Sequence, residues 1–181
     1  MEDLRVAIIQ TSLFWENKAL NLSMFNDKIA CINKPVDIIV LPEMFSTGFS
    51  MQSHKFAEKM DGPTVNWLKQ KAKEKNTTIT GSIIIEENGN YYNRLLWVTP
   101  EEKVLYYNKR HLFRMAGEQE HYSSGINRKV AELKGWKIAL MVCYDLRFPV
   151  WSRRSAAFDY DAMIFVANWP QRRSHPWNIL L

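Results

Sequence analysis

The chain holds no apolar run near the roughly 20 residues that a membrane-spanning helix needs. Its opening residues, Met1-Glu2-Asp3, are acidic where a secretory leader would be basic. The expectation is a cytoplasmic protein with no membrane partner. Cysteine is scarce: Cys31 and Cys143 are the only two, far apart and outside any CxxC pair. With four histidines and no HExxH pattern, a disulfide framework and a zinc site are both excluded as organising features, and no metal or other cofactor is expected. A reducing cytosol would keep both thiols free, which leaves one of them available as a catalyst.

What is present fits one folded unit. A length of 181 residues suits a single domain spanning 1–181. Hydrophobic residues at 46% and charged residues at 24% argue against wholesale disorder. The seven tryptophans point to a dense interior or an aromatic-lined pocket. A formal charge of +5 raises nucleic acid as a partner. The basic residues are dispersed, however, and the densest stretch, 69–75, lies on a segment where Val65, Leu68 and Ala72 recur at helical spacing. Its lysines read as a solvated face, and with no recognised motif no nucleic-acid partner is expected.

Strand and helix signals alternate. Residues 4–10 form a compact apolar run typical of a strand buried on both faces. Leu22, Phe25, Ile29 and Ile32 give 17–33 a helical period, and 36–41 is a second buried strand stopped by Pro42. Pro63 suits the first position of a helix running to about Lys75. Asn88-Gly89-Asn90 joins strands 77–86 and 91–99 as a hairpin, and 103–107 adds a third antiparallel strand. Residues 108–127 have no clean period and read as a long functional loop. Val130–Leu133 and Trp136–Val142 form a further hairpin around Gly135, Pro149 opens a short helix, 161–167 is a strand, and 175–181 begins a helix. There is no linker, repeat or low-complexity segment. The order predicts an α/β sandwich with a mixed sheet and helices on its outer faces. Because the final helix has barely begun at Leu181, the chain reads as the front part of a longer domain whose C-terminal part is missing.

Chemistry-bearing residues collect where apolar strands end: Glu43 after Leu41-Pro42, Cys143 after an IALMV run, and Asn168-Trp169 after MIFVA. In sheets with a parallel component, ligands gather at the carboxyl ends of strands. A lone cysteine after such a strand is usually a small buried residue. Cys143 differs because the chain turns at once through Tyr-Asp-Leu-Arg-Phe-Pro, an elbow expected to expose the thiol and to bring the Tyr144 N–H beside a substrate. Cys31, on an apolar helix face, keeps the structural role. Glu43 stands among Met44, Phe45, Gly48 and Phe49, too apolar a setting for an ordinary solvated carboxylate, which suits a proton shuttle. Lys109, if turned inward, offers a fixed positive charge to an oxyanion, and Glu118 is a second loop carboxylate with a weak signal of its own. On spacing alone His111, His121 and His175 remain rival partners for the cysteine.

Three segments together resemble the carbon–nitrogen hydrolase (nitrilase) superfamily: Leu41-Pro42-Glu43-Met44-Phe45, Asn108-Lys109-Arg110-His111-Leu112-Phe113, and Val142-Cys143-Tyr144-Asp145-Leu146-Arg147-Phe148-Pro149. The resemblance implies a Glu–Lys–Cys triad at Glu43, Lys109 and Cys143, with Glu118 and the Tyr144 N–H in supporting roles, and so decides against the histidines. It also implies an α-β-β-α sandwich that pairs as a homodimer. Arg110-His111-Leu112-Phe113-Arg114-Met115-Ala116 and Ala167-Asn168-Trp169-Pro170 are similar to the bacterial omega-amidase branch. Pro176 stands before Trp177 where that branch often has histidine.

This likeness implies hydrolysis of a small carboxamide, the omega-amide of 2-oxoglutaramate or 2-oxosuccinamate, through a cysteine thioester with release of ammonia. Such substrates carry a carboxylate, for which Arg114 and Arg173 are candidate partners. The alternatives are another amidase, a carbamoylase or a nitrilase of the same superfamily, and an inactive fragment of such an enzyme.

Overall fold

The computed structural model describes residues 2–181. The first half is built from β1 (Val6–Ile8), α1 (Lys18–Ala30), β2 (Ile38–Val40), α2 (Ser53–Phe56), α3 (Pro63–Lys75), β3 (Thr78–Glu87), β4 (Asn90–Val98) and β5 (Val104–Asn108). Its five strands form one sheet in the order β1-β2-β3-β4-β5. β1, β2 and β3 are mutually parallel, and β4 runs antiparallel to both β3 and β5. The second half contributes α4 (Glu118–His121), β6 (Val130–Leu133), β7 (Trp136–Val142), α5 (Pro149–Ser152), β8 (Ala162–Val166) and α6 (Ser174–Leu180). There β7 pairs antiparallel with β6 and parallel with β8 in a separate three-stranded sheet. Both sheets are mixed, and the α/β class expected from the sequence holds.

Side-chain alternation sets the layers. Ile39 and Leu41 of the second strand region, with Leu96 and Val98 of β4, pack against Phe25 and Ile29 of α1 and Val65, Leu68 and Ala72 of α3. Their immediate neighbours Ile38, Val40, Leu95 and Trp97 point the other way, onto Ile138, Leu140 and Val142 of β7. One residue of slip would exchange these two sets and set each against the wrong partner layer, so the period of two, with the packing of both faces, fixes the register. The helices thus cover one face of the first sheet while the second sheet covers the other.

Local chemistry explains the boundaries. The Asn17 side chain accepts a hydrogen bond from the Leu20 N–H at 3.0 Å and starts α1. Pro63 occupies the first turn of α3, and Asn76, at φ +47°, closes it in the left-handed region. Asn88 and Gly89 both take positive φ in the β3–β4 hairpin.

Several expectations need correction. β1 is an edge strand with Val6 and Ile8 exposed, not a strand buried on both faces. α1 ends at Ala30, so Cys31 caps it and is exposed rather than lying on its apolar face. α2 was not anticipated, because four residues are too few to show a period. The stretch from 108 to 127 is not wholly irregular, since it contains a 3-10 turn at Arg114–Ala116 followed by α4.

The loop carrying Lys109 is clamped from both sides. The Lys109 N–H donates to the Asn93 carbonyl at 3.0 Å, and its own carbonyl accepts from the Gly125 N–H at 2.8 Å. A Cβ on residue 125 would lie 2.1 Å from the Asn108 carbonyl oxygen, a backbone atom that cannot swing aside. Gly125→Ala is therefore expected to destabilise the fold by about 1–3 kcal/mol, as overpacking does. Urea unfolding checks this, and an unchanged midpoint would contradict the clamp.

Candidate functional site

Three chain segments deliver Glu43, Lys109 and Cys143, the residues expected to form a triad. Past the end of β2 the chain bends at Met44, whose φ is +45°. The Met44 and Phe45 N–H groups donate to the Ser82 hydroxyl (2.9 Å) and the Ser82 carbonyl (3.1 Å) on β3, which pins Glu43 between them and the strand. Lys109 follows β5 directly. Cys143 follows β7 at φ +47°, a strained conformation for a side chain other than glycine. It opens the 3-10 turn Cys143–Arg147, so the elbow inferred from the sequence is present. Its expected exposure is not: Cys143 is buried, with 7% of its surface exposed. It packs with core residues of β2, β4 and β8 that are distant in sequence, and the Glu43 side chain lies against it.

The polar groups converge in this buried space. The Lys109 Nζ lies 2.9 Å from Glu43 Oε1 and 2.9 Å from Glu118 Oε2, and all three side chains are fully buried. A further bond of 3.1 Å joins Lys109 to Glu118 Oε1. Glu43 Oε2 accepts from the Asn168 N–H at 2.9 Å. Glu118, the weakest of the sequence candidates, also accepts from the Phe113 N–H. Tyr144 is half-buried, with its ring edge-on to Phe113 at 4.9 Å and to Phe148 at 5.4 Å.

The charges interact strongly because little water screens them. Burial pushes the Cys143 thiol well above its ordinary value, the negative Glu43 adds to this, and Lys109 opposes both. For Lys109, burial alone would favour the neutral amine, but the charges of Glu43, Cys143 and Glu118 outweigh it and hold the ammonium. Burial raises Glu118 against the pull of Lys109, and the nearby Glu43 raises it further. Two carboxylates and a thiol thus share one cation. Moving the thiol proton to Glu43 conserves that total and shifts the negative charge onto sulfur.

None of the three candidate histidines is shown beside Cys143. His111 Nδ1 is 2.8 Å from Asp145 Oδ1, and its ring stacks on Phe148 at 3.7 Å. His121 and His175 are exposed. Of the two arginines, Arg114 is exposed, whereas the Arg173 guanidinium lies 4.7 Å over the Phe113 ring, next to Tyr144.

Two residues were missed by the sequence reasoning. Asp145 is buried and accepts from the Val142 N–H (3.1 Å), the Tyr107 hydroxyl (2.7 Å) and the His111 N–H (2.9 Å), tying the cysteine elbow to the lysine loop. Asn93 on β4 donates to Glu43 Oε1 at 2.8 Å and to Glu118 Oε1 at 3.4 Å. The only signal for Asn93 was a polar pair, Asn93-Arg94, interrupting an apolar strand.

Known proteins share this arrangement of chain. A family model described as carbon–nitrogen hydrolase matches residues 5–181. Omega-amidase YafV of Escherichia coli (strain K12) is 44% identical over 181 residues, which is 100% of this chain and 69% of that protein. 2-Oxoglutaramate amidase of Bacillus subtilis (strain 168) is 29% identical over 179 residues, 97% of this chain and 69% of that protein. The crystal structure of XC1258 from Xanthomonas campestris, described as a CN-hydrolase superfamily protein with an arsenic adduct in the active site, matches with a TM-score of 0.95. It is 42% identical and covers 100% of this chain and 71% of that one.

Lys109 is the cation that makes the buried carboxylates tolerable, so Lys109→Met is expected to cost about 3–5 kcal/mol of stability at neutral pH. Without the ammonium, the folded-state pKa of a buried carboxyl lies above its unfolded value. The stabilising contribution of its protonated form is then lost as pH rises through the folded pKa. The deficit against wild type should therefore shrink between about pH 8 and about pH 5 in urea unfolding. Equal midpoints for variant and wild type at both pH values would refute this.

Proposed function

This chain belongs to the carbon–nitrogen hydrolase family, and from that premise we propose that it is an omega-amidase. It hydrolyses the terminal amide of 2-oxoglutaramate or 2-oxosuccinamate and releases ammonia. The observation that carries the proposal is the buried Glu43–Lys109–Glu118 cluster at 2.9 Å contacts, with the thiol of Cys143 under its charges on a positive-φ elbow. Likeness to a named omega-amidase and a named 2-oxoglutaramate amidase supports the substrate class.

In this mechanism Glu43 takes the proton of Cys143 as sulfur bonds to the amide carbon. The carbonyl π electrons move onto oxygen, where the Lys109 ammonium and the Tyr144 N–H stabilise them. The first N–H groups of a helical turn lack partners within it, which leaves that of Tyr144 free for this task. One such donor is typically worth about 3–4 kcal/mol in the transition state. The tetrahedral adduct collapses, the C–N bond breaks, and Glu43 returns its proton to nitrogen so that ammonia leaves. Water then gives a proton to Glu43 and its oxygen to the thioester, aided by Glu118. Collapse of that second adduct frees the acid and the thiolate, which recovers the proton from Glu43. Arg173, against Phe113 beside Tyr144, is the better placed candidate for the substrate carboxylate. We further propose a cytoplasmic homodimer.

Ammonia release from 2-oxoglutaramate should fall to the uncatalysed background in Cys143→Ala. Wild type should prefer this amide and 2-oxosuccinamate over a nitrile or an N-carbamoyl amine. Equal rates for wild type and variant would overturn the nucleophile, and preference for a nitrile or carbamoyl compound would overturn the substrate class.

A further inference from the structure

We infer that Asn93 is a positioning residue for the amide hydrolysis, holding Glu43 and Glu118 on either side of the Lys109 ammonium. The inference rests on the amidase function proposed above. Asn93 is fully buried on β4 and touches all three groups. Its backbone carbonyl accepts from the Lys109 N–H at 3.0 Å. Its Nδ2 donates to Glu43 Oε1 at 2.8 Å and reaches Glu118 Oε1 at 3.4 Å. One strand residue therefore sets both the height of the lysine and the separation of the two carboxylates.

The orientation of this amide is dictated by charge. Turned the other way, its carbonyl oxygen would face two carboxylates. As placed, Asn93 Oδ1 is buried without a hydrogen-bond partner among the described residues. A buried acceptor left unpaired is unfavourable, and the fold tolerates it to keep the NH2 on the carboxylates. A donor to a carboxylate favours its ionised form, the form in which Glu43 accepts the thiol proton. Glu118, Lys109, Cys143 and Tyr122 are the other titratable groups around this point.

The test is steady-state kinetics against pH for Asn93→Asp, which keeps the shape but replaces the donor by a charge, and for Asn93→Ala. The expected result is a fall in kcat of about 100-fold, as for a reacting group misplaced by about 1 Å, with KM changed by less than about threefold. The acid limb of kcat/KM should move to higher pH in both variants, and further in Asn93→Asp. Folded variants with wild-type kcat would overturn the inference, and so would a reduced kcat with an unmoved acid limb. Should both variants fail to fold, the side-chain NH2 resonance of Asn93 in wild type decides. It must shift along the acid limb, and a resonance indifferent to pH there overturns the inference. A wild type without amidase activity would instead sink the functional proposal, whereas an active wild type with indifferent Asn93 variants sinks only this one.

Discussion

The site depends on one buried ammonium. Lys109 sits between Glu43 and Glu118 with every charged atom removed from water. An isolated charge in such a place would neutralise by shifting its pKa. The ammonium persists only because the carboxylates are held at contact distance, so the cluster demands a rigid frame. The frame is visible as the Gly125 and Asn93 clamps on the lysine loop, the Ser82 bonds that pin the glutamate turn, and the Asp145 knot beneath the cysteine.

That frame explains why the groups ride on strand ends. β2, β5 and β7 each stop at the same region of the double-layered core, and register in the two sheets carries positional accuracy to the residue just past each end. Sites borne on such scaffolds tolerate little misplacement, and the proton transfers proposed here tolerate less. The strain at Cys143 belongs to the same economy. A positive φ turns the thiol into the cluster and sends the chain away through the 3-10 turn that continues with Tyr144.

Much of this was legible in the sequence because its signals are local. The period of two in the strands, the Asn-Gly hairpin, the Asn17 cap and Pro63 each act within a few residues. Glu43, Lys109 and Cys143 could be named because they follow recognisable strand runs in a recognisable order. Glu118 had only the loop resemblance, since its partners lie across chain folds that no spacing reports. Asn93 reaches Glu43 over 50 positions and Asp145 reaches Tyr107 over 38, which is why neither stood out. The misjudged exposure of Cys143 has the same origin: an elbow is local, but the walls that bury it are not. Cys31 was misplaced for the opposite reason, a helix expected to reach residue 33 that ends at Ala30, since helix ends fray and shift by a few residues.

The central claim is that sulfur of Cys143 forms a covalent bond to the acyl group of the amide. Acid quenching during turnover of 2-oxoglutaramate, followed by peptide mass spectrometry, tests it most directly. The account predicts a 2-oxoglutaryl thioester on the peptide containing Cys143, removed by hydroxylamine, and none on the exposed Cys31. Acylation of Cys31 in place of Cys143, or steady turnover with Cys143 unmodified at every quench time and after trapping by slow substrates, would contradict it.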